Sequence, residues 1–137
     1  MPRYSPIDSD IPLQASRSDL AALHWETNGI AADFFLPNDE AHLLRVSFDR
    51  QCIIRVLDEM PLSTEQDDTP NEGLVPEHFA YLLEGAAFAR LQSWAWKEVN
   101  APVKHYQFIT GWACLDVLTS AAPVFATVPR YRPTPAK

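Results

Sequence analysis

Twelve prolines against four glycines restrict the fold of this 137-residue sequence more than any other feature. Proline has no backbone N–H and a fixed φ, which excludes it from helix interiors and from the middle of a sheet. Regular structure must therefore lie between prolines. Pro2, Pro6 and Pro12 set residues 1–17 apart as an N-terminal arm. Pro129, Pro133 and Pro135, with Arg130, Arg132 and Lys137, make residues 129–137 a basic, proline-rich tail. Residues 18–128 then form a single domain, a division that suits a chain of this length. Pro37, the trio Pro61, Pro70 and Pro76, and then Pro102 and Pro123 cut that domain into four blocks.

Periodicity inside the blocks favours strands. Leu23, Trp25 and Thr27 alternate with His24 and Glu26, and Ile30, Ala32 and Phe34 alternate after Asn28-Gly29. This predicts a hairpin with a type I′ turn, against a competing short helix capped at Ser18. The runs Leu43–Phe48 and Cys52–Leu57 are β-branched and aromatic, and read as a tight hairpin or as one long bent strand. Both faces of the second run are largely apolar, which predicts a central strand covered on two sides. Phe79, Tyr81 and Leu83 alternate as a short strand, after which Phe88, Leu91, Ala95 and Val99 recur at steps of three and four. That spacing predicts one amphipathic helix over residues 86–98, with Trp94 and Trp96 beside its stripe. A further hairpin turns at Gly111, and Val124–Val128 closes the chain as an edge strand. The expected fold class is α+β: a mainly antiparallel curved sheet, or small β-sandwich, with one amphipathic helix packed on it.

Charge and motif content narrow the functions. A net charge of −7 repels phosphate backbones, which argues against nucleic-acid binding. No apolar run reaches the length of a membrane span, and the N-terminus lacks the apolar core of a signal peptide, so a cytoplasmic protein is expected. Cys52 and Cys114 stand far apart without metal-ligand spacing, and His24, His42, His78 and His105 show no helical pairing; no metal or other cofactor is expected. Phosphate loops, dinucleotide fingerprints and nucleophile elbows do not occur, which argues against an enzyme. Residues 58–77 carry seven acids and no base, and form an acidic loop that includes Asp67 and Asp68.

Six polar residues sit within or beside apolar strands: Arg55, Asp58, Glu59, His105, Tyr106 and Asp116. An ionised group among Val, Ile and Leu must find a partner or shift its pKa. If residues 51–59 lie beside the 104–118 hairpin, Arg55 can pair Asp116 or Glu59 while His105 faces a carboxylate. Such a group serves either as an acid/base site with Tyr106 donating a hydrogen bond, or as a structural ion pair. The segment Phe48–Glu59, the aromatic strand-helix segment, His105-Tyr106 and Asp116-Val117-Leu118 together resemble small bacterial proteins of unknown function, over about residues 42–124. The resemblance implies no activity and directs attention to the same six residues. The function expected on these grounds is a non-catalytic protein-binding module of the immunity type, meeting its partner through Trp94, Trp96, Asp67 and Asp68. The alternative is a small-molecule-binding or hydrolase-like protein with a pocket between sheet and helix. Tyr4, Ile7, Ile11, Leu13 and Tyr131 in the two ends further suggest a homo-oligomer in which one end packs on a neighbour.

Overall fold

The computed structural model describes residues 2–59, 61 and 72–130. Asp67, Asp68 and most of the acidic loop, together with the tail from Tyr131 on, lie outside the described residues. Among the described residues nine strands follow one another: β1 (Arg3–Pro6), β2 (Leu20–Glu26), β3 (Gly29–Phe35), β4 (His42–Phe48), β5 (Cys52–Asp58), β6 (Ala80–Glu84), β7 (Lys104–Phe108), β8 (Ala113–Thr119) and β9 (Val124–Pro129). They build a five-stranded sheet in the order β1-β6-β7-β8-β5 and a four-stranded sheet in the order β2-β3-β4-β9. All the strand pairings within the two sheets are antiparallel. Pro6 and Pro129 each end a strand at a sheet edge, where a missing N–H costs no ladder bond.

The sheets pack face to face. Phe34 and Phe48 from the four-stranded sheet meet Phe108 from the five-stranded one at ring-centroid distances of 5.9 and 5.7 Å. Ala32, Leu44 and Val46 join Leu115 and Val117 in the same buried cluster. Because alternate residues of a strand face opposite ways, the outer faces take Asp33 and Arg45 on one sheet and Arg55, His105, Gln107 and Asp116 on the other.

This architecture corrects the expected fold class. It is two packed sheets with little helix, in place of a curved sheet or sandwich carrying one amphipathic helix. The segment expected as one helix is two short ones, α1 (Ala87–Arg90) and α2 (Trp94–Val99). Ser93 causes the break: its ψ of 119° is not helical, and its hydroxyl accepts the Trp96 N–H at 3.2 Å, which starts a new helix. Once the helical register is interrupted, the spacing of Phe88, Leu91, Ala95 and Val99 no longer defines one face. Phe88 is buried on the sheet, while Leu91 and Val99 are 76% and 85% exposed.

Long-range pairing changes three other expectations. Among the described residues β5 lies at an edge, paired with β8 alone, and Val56 on it is exposed, so it is not a central strand. β4 and β5 belong to different sheets, and residues 49–51 carry the chain across without pairing the two runs. The arm is part of its own chain's fold: β1 pairs β6, Tyr4 is buried, and Ile7, Ile11 and Leu13 pack on the core. The first hairpin forms, but Glu26 pairs Gly29, so Thr27 and Asn28 make the turn and neither has the positive φ of a type I′ turn. The hairpin at Gly111 and the edge strand after Pro123 form as read from the sequence. At Gly111 a Cβ would lie 2.5 Å from the Ser16 carbonyl oxygen, so only glycine lets this turn close on the arm.

Candidate functional site

Asp116 sits on the outer face of the five-stranded sheet, on β8 beside the β5 edge. Arg55 on β5 stands directly opposite it on one side and Gln107 on β7 on the other, with His105 two residues before Gln107 on the same face. Both Arg55 Nε and an Arg55 terminal nitrogen donate to Asp116 Oδ2, at 3.0 and 2.7 Å. The other carboxylate oxygen, Oδ1, meets His105 Nε2 at 2.7 Å and accepts from Gln107 Nε2 at 2.8 Å. Phe88 of α1 roofs the group, its ring centre 5.6 Å from that of His105 and 4.3 Å from the Arg55 guanidinium carbon.

These contacts set the charge of the site. Burial by itself pushes the Asp116 carboxyl up, but the hydrogen bonds from His105, Gln107 and Arg55, with the positive charge of His105, outweigh it and hold the carboxyl below the usual range. An ionised Oδ1 that accepts from Gln107 requires His105 to present Nε2 as N–H, which leaves Nδ1 on the other side of the ring. That nitrogen is buried and meets no hydrogen-bond partner among the described residues.

Three of the six polar residues singled out in the sequence, Arg55, His105 and Asp116, therefore converge. Tyr106 follows His105 in a strand and so faces the opposite way, into the sandwich core, where burial raises its phenol pKa. Asp58 and Glu59 lie exposed beyond the site, at the end of β5, where the Glu59 N–H donates to the Trp112 carbonyl at 2.8 Å. Trp94 is 73% exposed on α2 and Trp96 is half-buried. Cys114 lies fully buried beside Asp116 on β8, and burial pushes its thiol up to about 11, so it is protonated and inert at neutral pH. Among the described residues no cluster of three or more His, Cys, Asp and Glu could hold a metal ion.

A second polar group escaped the sequence reading. On the outer face of the four-stranded sheet, Asp33 takes a two-pronged pair from Arg45, at 2.7 and 2.9 Å, and meets His24 Nε2 at 2.8 Å. Its signal in the sequence is a lone acid and a lone base inside the apolar runs Ala31–Phe35 and Leu43–Val46, the same signal that exposed Arg55 and Asp116.

Comparison with known proteins adds no relative: no family model matches the chain, and no curated protein or solved structure matches it significantly. No helix among the described residues is long and apolar enough to cross a membrane.

Proposed function

We propose that this chain is a non-catalytic protein-binding module of the immunity type, acting in the cytoplasm, whose contact surface is the helical roof of the five-stranded sheet. The observation that carries this reading is the exposure of Leu91, Trp94 and Val99, at 76%, 73% and 85%, within one short segment. A grouping of large apolar side chains in water is costly to keep uncovered and is characteristic of binding surfaces. Tryptophan is also the residue most enriched where binding energy concentrates. The net charge of −7 favours a partner with a basic surface, because complementary fields speed encounter. The saturated Asp116 group supports a non-catalytic role: its carboxylate already accepts four hydrogen-bond contacts, and the neighbouring thiol is protonated.

The test is chemical cross-linking in the native host, comparing wild type with Leu91→Glu and Trp94→Glu. One basic protein, cross-linked to wild type through residues 91–99 and at least tenfold less to either variant, supports the reading. Equal cross-linking of the variants, or cross-links confined to a second copy of the chain, overturns it.

A further inference from the structure

A cavity of about 500 Å³ opens between the helical roof and strands β6 and β7, in the size range of small-molecule sites. Leu83 and Leu118 form an apolar floor and Ala86 and Ala89 an apolar wall. Its charged lining is Arg90, Lys97 and Lys104 against the single acid Glu84. In a chain of net charge −7 this local excess of bases is opposite in sign to the molecule as a whole. Lys97 is held in place, its ammonium donating to the Ala89 carbonyl at 2.9 Å.

His105 reaches the same cavity. Its Nε2 is committed to Asp116, and its Nδ1 is the buried ring nitrogen without a partner among the described residues. Nδ1 has almost no accessible surface, so the ring borders the cavity without offering it a hydrogen bond, and His105 serves as a local reporter of occupancy.

We propose that this cavity binds a small amphipathic anion, a carboxylate or phosphate headgroup on an apolar body. Arg90, Lys97 and Lys104 hold the headgroup, and the body lies on Leu83, Ala86 and Leu118. The site is independent of the partner surface proposed above, because its ligand enters beneath the roof and does not cover Leu91 or Trp94.

The experiment is titration of the full chain with octanoate, octyl phosphate and octanol, followed by ¹H–¹⁵N spectra that include the His105 ring nitrogens. Binding of at least one anion, ten times tighter than octanol, with shifts at Ala86, Lys104 and the His105 ring, is expected; which anion binds identifies the headgroup. The exposed double variant Arg90→Glu/Lys104→Glu, checked for an unchanged circular dichroism spectrum, should bind that anion at least tenfold more weakly. Equal binding of octanol, no binding of either anion at millimolar concentration, shifts confined to other surfaces, or an unaffected double variant overturns the proposal. None of these outcomes depends on whether a protein partner exists.

Discussion

The two sheets carry the same device on their outer faces in different settings. Each has an aspartate on a middle strand of three, a histidine on one neighbour and an arginine on the other: His105, Asp116 and Arg55 across β7-β8-β5, and His24, Asp33 and Arg45 across β2-β3-β4. In both, the aspartate side chain is almost fully buried, at 0% and 3% exposed. The partners differ: His105 is 4% exposed against 42% for His24, and Arg55 25% against 37% for Arg45. The difference is the roof, since Phe88 lies over Arg55 and His105 while His24 and Arg45 remain partly in water. Residue type alone therefore does not decide what such a triad is worth. A pair reached by water is screened and contributes little, whereas removing one partner of a buried pair strands the other in a low-dielectric site.

The largest expected effect tests that contrast. Asp116→Ala leaves Arg55 and His105 without their shared acceptor and should destabilise by about 3–5 kcal/mol in urea unfolding, the usual result for one partner removed from a buried pair. Asp33→Ala should cost less, about 1–3 kcal/mol, because His24 and Arg45 can turn to solvent. Equal losses would break the comparison.

Removing the roof should make the two groups alike. Phe88→Ala deletes a buried ring and is expected to cost about 3 kcal/mol, at the lower end for phenylalanine because the site lies near the surface. In the folded variant the His105 ring should exchange with solvent as readily as that of His24, read from its ring-nitrogen spectrum. A His105 that stays protected would show that the sheet, and not Phe88, keeps water out.

The smallest effect lies in acid. Asp116 and Asp33 both have folded-state pKa values below the ordinary 3.8, because their hydrogen bonds and positive neighbours outweigh burial. Their contribution is therefore fully present above the unfolded value and is lost as pH falls through the depressed folded value. Stability should fall on acidification below about pH 4. Asp116→Asn and Asp33→Asn, measured by urea midpoints between pH 2 and 5, should each flatten that fall, and a steeper fall in either variant would reverse the assignment.

Much of the local structure was legible in the sequence. The restrictions on proline act within one or two residues, and four of the internal cuts fall between elements: Pro37 after β3, Pro76 before β6, Pro102 before β7 and Pro123 before β9. Of the candidate site, Arg55, His105 and Asp116 could be found because a charge among Val, Ile and Leu is conspicuous. Gln107 could not, since an uncharged amide raises no such alarm, and Asp33 and Arg45 carried the same signal unread. The helix was misjudged because a period of three and four survives in the residue order even where Ser93 restarts the helix and turns Leu91 and Val99 outward.

By itself, then, the sequence determined where most strands after the arm lie, which side chains alternate along them, and which polar residues need partners, because these follow from backbone sterics and desolvation acting on near neighbours. Only the tertiary structure decided that β4 and β5 part into different sheets, that β1 completes its own chain's sheet, that β5 is an edge, and that Phe88 covers Arg55 and His105 while His24 and Arg45 stay partly in water. Those outcomes depend on which strands pair across tens of residues. That choice is made by the summed burial of the Phe34, Phe48 and Phe108 core, which no single segment contains.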